Sequence, residues 1–126
     1  MSILARKPIP FEVIFKDCIF IIIFIEPEHQ YVDGKKTDVI VGYKYEVVDT
    51  VDFNKFKVKI KGQSKPLMTN EALQELRDSG KKVLVEFVDG VDTPYTKIEN
   101  KGRPNENTTL EDSFSAKDIL LVEPNN

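Results

Sequence analysis

Residues 55 to 61 read KFKVKIK. Lys55, Lys57, Lys59 and Lys61 alternate with Phe56, Val58 and Ile60, and a period of two is that of a β-strand, whose successive side chains point to opposite faces. The segment therefore reads as a strand with an apolar face for a core and a row of ammonium groups on the other side. Neighbours in that row lie ~7 Å apart, inside a Debye length of about 8 Å, so they repel unless something offsets the charge. The phosphates of a nucleic-acid strand would do so, and a row of point charges tracks a flexible backbone well. A solvated face, a strand edge protected against pairing, and cross-strand carboxylates such as Glu46 are the other readings of the same row.

Composition sharpens this. The net charge is −3 and the pI about 5.2, so no global basic field attracts a polyanion. The charge is uneven, however: eleven basic residues stand against nine acids through Lys65, and seven against twelve from Pro66 onward. An anion-binding surface thus belongs to the first half. A length of 126 residues with 40% apolar content suits a single domain. The single cysteine, Cys18, forms no intramolecular disulfide, which predicts a reducing cytoplasmic setting. Its run, Cys18 to Ile25, is too short for a membrane helix of about 20 residues and lacks a signal-peptide cleavage site. It reads as a central strand buried on both faces.

The remaining chain predicts a mainly β protein with one short helix. Residues 1–10, with Pro8 and Pro10, form an extended arm, and residues 11–16 alternate like a strand. Residues 26–38 make a polar loop with an Asp33-Gly34 turn signal. A second strand over 39–48 enters the lysine strand through a tight connection. The helix has Thr69 or Asn70 as N-cap, Ala72, Leu73 and Leu76 as its apolar stripe, and Gly80 past its end. Strands over 83–88, 93–99 and 114–123 follow, with a mobile loop near 100–113 and a frayed tail at 124–126. One domain over 11–123 in this order matches an OB-fold-like small barrel, another antiparallel α+β sheet being the alternative.

Several residues are candidates for binding. In the strand 39–48, Tyr43 and Tyr45 would stack bases if they shared the lysine face, but their parity is the more apolar one, which favours core positions and lets Lys44 extend the basic face. Tyr31 and Tyr95, in or beside loops, are the better partners for bases. Lys35 and Lys36 flank the same face from the turn. His29 reads as a surface histidine, and Asp17, Glu26 and Glu28 have no nucleophile beside them. No zinc pattern, phosphate loop or catalytic signature is present, so neither enzyme, metal nor cofactor is expected.

The stretch YVDGKKTDVIVGYKYEVVDTVDFNKFKVKIKG, with PLM, VEF and DSFSAKDILLVE, resembles small accessory proteins of conjugative elements and phages in Gram-positive bacteria. That group includes a helicase processivity factor, and the resemblance covers most of residues 18–123. It implies an OB-like domain that assists mobile-element replication or conjugative transfer by holding single-stranded DNA behind a helicase; an element-encoded helicase or relaxase, or a second copy of the chain, is the expected protein partner. It assigns no contact residue. The acidic C-terminal tip by which typical bacterial single-strand-binding proteins recruit partners is not evident in VEPNN. The rival expectation is a protein-interaction module whose lysines meet an acidic partner.

Overall fold

The structure is a computed structural model that describes residues 7–15 and 17–122. Its elements are β1 (Ile9–Pro10), α1 (Phe11–Ile14), β2 (Phe20–Val32), β3 (Lys35–Asp49), β4 (Lys55–Lys61), α2 (Asn70–Asp78) and β5 (Leu84–Val88). They continue with β6 (Val91–Asp92), β7 (Tyr95–Glu99), β8 (Asn107–Glu111), β9 (Phe114–Ser115) and β10 (Asp118–Leu121). Eight strands form one strongly curled sheet in the order β1-β6-β9-β4-β3-β2-β5-β10, while β7 and β8 form a separate ribbon.

The curl follows from the segment 114–121. Its first part, β9, pairs parallel with β4, Phe114 opposite Val58 and Ser115 opposite Lys59. The Ala116 amide then donates to the Lys59 carbonyl, and the Lys117 amide crosses to the Val88 carbonyl. Its second part, β10, runs antiparallel to β5, which in turn pairs with β2. The pairings thus pass from β2 through β3, β4, residues 114–121 and β5 back to β2. Inside lie Phe20, Ile22, Ile25, Tyr45, Val47, Val58, Ile60, Val85 and Ile119, all buried. The alternation of β4 holds: Val58 and Ile60 face this core and Phe56 packs against it.

The apolar run predicted as a strand buried on both faces is buried mainly on one. Between the pairs Ile22–Val47 and Phe24–Glu46 the ladder skips Ile23, a bulge that switches the inward parity. Ile25 then turns in and Phe24 is left 46% exposed. Here α2 docks: Asn70 accepts from the Ile25 amide at 2.9 Å and donates its side-chain amide to the Ile25 carbonyl. Thr69 is the N-cap, accepting from the Ala72 amide at 3.1 Å, and Leu73 is the buried contact.

Four local expectations change. Residues 11–14 form a helical turn, not a strand, so the described residues contain two helices. The turn places Phe11 and Phe15 side by side, rings 5.3 Å apart, in a cluster with Phe20, Phe56, Phe87 and Phe114. The end of the arm is tied down, Ile9–Pro10 pairing with Val91–Asp92; residues 1–6 and the tail 124–126 lie outside the described residues. The polar loop 26–38 is mostly strand, because β2 and β3 pair out to Val32–Lys35 around a two-residue turn with positive φ at Asp33 and Gly34. About a third of 100–113, Asn107–Glu111, is β8, paired with β7 from Tyr95–Glu111 to Glu99–Asn107. Among the described residues no helix is long and apolar enough to cross a membrane.

Candidate nucleic-acid interface

Register decides what the lysine row meets. On the outer face of the sheet Lys44 lies opposite Lys59, Glu46 opposite Lys57 and Gly42 opposite Lys61, while Glu26 and Glu28 of β2 lie opposite Lys44 and Gly42. The row is therefore not bare. Lys57 donates to Glu26 at 3.1 Å, Lys59 lies 3.9 Å from Glu28, and Lys55 lies 3.9 Å from Glu46. Glu46 was among the expected counter-charges. Glu26 and Glu28 were not, because they were expected in a loop rather than on the adjoining strand. The lysines of these pairs are 41–63% exposed but the carboxylates only 21–34%, so the pairs are half-buried and a phosphate has to compete with the carboxylates for the ammonium groups.

Three adjoining pockets, each sharing lining residues with the next, form a groove beside β4. Its first compartment, about 390 Å³, is lined by Lys44, Lys57 and Lys59 together with the Tyr95 ring, Phe56, Phe114, Asp112 and Ser113. The second, about 510 Å³, shares Lys59 and Ser113 with the first and adds Lys61, Lys117, Thr93 and Ser115. The third, about 410 Å³, shares Lys61 and Lys117 and ends at Gln63, Ser64 and Lys65. Among the described residues no carboxylate lies within 4.0 Å of the Lys44, Lys61 or Lys65 ammonium.

Of the residues singled out from sequence, Lys44, Lys57, Lys59, Lys61 and Tyr95 thus share one groove. Lys55 lines none of its compartments. Tyr31, Lys35 and Lys36 are elsewhere, at the tip of the long β2–β3 hairpin, where Tyr31 pairs with Lys36. Lys65, Lys117 and the hydroxyls of Thr93, Ser113 and Ser115 were missed. Lys65 simply follows β4 along the chain; no spacing links the others to β4, and the pairings of β9 with β4 and β6 bring them there.

Other side chains take structural roles. The Tyr45 hydroxyl donates to Gln63 at 2.7 Å and accepts from the Leu67 amide at 2.9 Å, and burial pushes its pKa up. His29 Nδ1 is 3.0 Å from the Thr37 carbonyl. Burial also raises the half-buried Cys18 thiol, with the charges of Glu12 and Asp17 adding to the effect. No cluster of metal-binding side chains occurs among the described residues.

Below the groove, Asp92 is only 5% exposed and accepts from the Ser113 amide at 3.0 Å. Burial pushes its pKa up to about 6, helped by a hydrogen bond with Asp112 and by that residue's charge. Asp112 itself lines the first compartment.

The geometry offers a strip of cations beside the exposed Tyr95 ring. Compared with known proteins, the chain matches no family model, no curated protein and no solved structure.

Proposed function

We propose that the protein is a non-catalytic accessory that holds single-stranded DNA along the β4 groove, and that its barrel is of the OB type. The OB reading is supported by the strand connections: three antiparallel strands, a helix, a fourth strand against the first, and a last one parallel to the third. In OB folds the second and third strands and their flanking loops take oligonucleotides. The corresponding surface here is β3–β4, with the segment between β5 and β9 supplying Tyr95. The observation that carries the functional reading is the groove itself, where Lys44, Lys57, Lys59, Lys61, Lys65 and Lys117 follow one another beside an aromatic ring. Ammonium groups screen phosphates, and a ring holds a base at about 1–3 kcal/mol without reading sequence. Service to mobile-element replication or conjugative transfer follows from the sequence resemblance and belongs to the same proposal.

The test is fluorescence anisotropy with a labelled oligothymidine across a salt series. Four neutralised phosphates give a slope of log K against log salt near −3, at about −0.7 per contact. Binding that ignores salt, or none at low salt, overturns the reading. A second surface favours a protein partner as well: Tyr31, Val39, Ile40 and Val41 of the β2–β3 hairpin are all exposed, Tyr31 at 64%. We propose an element-encoded helicase or relaxase there. Co-purification that survives nuclease treatment and is lost on replacing Val39 and Val41 by Ser supports it.

A further inference from the structure

We propose that the middle compartment of the groove is a site for a phosphate monoester, as carried at the end of a nucleic-acid strand or by a free nucleotide. Its chemistry differs from that of its neighbours. The first compartment contains Asp112 and aromatic rings, and the third contains Asp118. The middle one is lined by neither a carboxylate nor an aromatic residue: its walls are Lys59, Lys61 and Lys117 with Thr93, Ser113, Ser115 and Ala116.

Two of those cations have counter-ions and one does not. Lys59 lies 3.9 Å from Glu28, and Lys117 lies 3.4 Å from Asp89, a pair between two well-exposed side chains. Lys61 has no carboxylate within 4.0 Å among the described residues. None of the three hydroxyls hydrogen-bonds to a described protein group, so all are available as donors. The backbone that carries them is fixed. Ser113 donates its amide to Asp92 at 3.0 Å, Thr93 donates its amide to the Ser113 carbonyl at 2.9 Å, and Ser115 is held opposite Lys59. Donors on a fixed frame lose little on binding.

An internal phosphodiester has one negative charge and two free oxygens. A monoester near neutral pH carries about −1.5 to −2 and presents three strong acceptor oxygens. Three hydroxyl donors and three ammonium groups match the monoester. Lys59 and Ser113 also border the first compartment, so a terminal nucleotide would place its phosphate among the hydroxyls and its base toward Tyr95. The base half of this arrangement rests on the single-strand reading; the phosphate half does not.

The experiment compares labelled oligothymidines of one length bearing a 5′-phosphate, a 3′-phosphate or hydroxyls at both ends, with thymidine monophosphate and inorganic phosphate as separate ligands. One phosphorylated end is expected to bind about tenfold more tightly than the hydroxyl-ended strand. That ratio should fall to about one in the Ser113→Ala/Ser115→Ala double variant, and separately in Thr93→Val, with thermal melts confirming that each is folded. Lys81→Gln, outside the groove, should keep it. Equal affinity for all three strands overturns the monoester site and leaves the single-strand reading standing. Binding of thymidine monophosphate or inorganic phosphate that the double variant loses, without binding of any strand, supports the site and overturns the single-strand reading. No binding of any ligand overturns both.

Discussion

Gly42 has no side chain where β3 passes the Ile60–Lys61 backbone of β4. A Cβ there would collide with the Ile60 carbonyl oxygen and press on the Lys61 backbone, neither of which is a flexible end that can swing away. The same residue lies opposite Glu28, at the irregularity where the β2–β3 hairpin leaves the curled sheet. Gly42→Val should therefore destabilise the protein by about 1–3 kcal/mol, as overpacking does, seen as a lower urea midpoint. Asp92 acts through a proton. Because its folded pKa is about 6 against an ordinary 3.8, the native state binds the proton more tightly than the unfolded chain. Its stabilising contribution is complete below about pH 4 and is lost as pH rises through 6. Asp92→Asn keeps an oxygen for the Ser113 amide but no titration. Between pH 4.5 and 7.5 the wild type should lose about 1–3 kcal/mol relative to that variant; parallel stability curves for the two proteins would contradict this. Asp112 is the charged neighbour that sharpens the effect, and neither acid stood out in the sequence.

At the scale of elements, α2 is short and depends on what it rests on. Its Asn70 satisfies both the amide and the carbonyl of Ile25, which lie on the edge of β2 beyond its short pairing with β5 at Phe20 and Ile21. Asn70→Ala leaves two backbone groups without a partner and should cost about 1–3 kcal/mol. Thr69→Ala removes a single cap bond and should cost about 1 kcal/mol. Chemical denaturation of the two variants side by side tests the order. The cap, the apolar stripe and the Asp33-Gly34 turn were legible because their signals are local. The bulge was not, since an unbroken run of isoleucine and phenylalanine gives no sign of which residue the ladder will skip. The long hairpin was hidden for a similar reason: Glu26, Pro27, Glu28 and His29 look like a loop, and only pairing with β3 makes them a strand.

At the scale of the whole molecule the groove makes one lysine differ from another. Lys55 and Lys61 end the same alternating segment, but Lys61 joins two groove compartments and has no carboxylate within 4.0 Å among the described residues, whereas Lys55 lines none and lies near Glu46. Lys61→Glu should weaken oligothymidine binding about tenfold or more at low salt and flatten the salt slope by about 0.7–1.4. Lys55→Glu should change affinity less than threefold. Equal losses would mean that strands follow the row and not the groove. The sequence by itself determined that residues 55 to 61 form a strand with lysines outside and Val58 and Ile60 inside, because a period of two acts through nearest neighbours alone. It also determined one capped helix and the tightest turn. Which acids meet those lysines, that Tyr95 shares a wall with them, and that Lys117 and three hydroxyls continue the line were decided by register and by residues 114–121 crossing from β4 to β5. Those pairings join residues tens of positions apart, and no local pattern encodes such a distance.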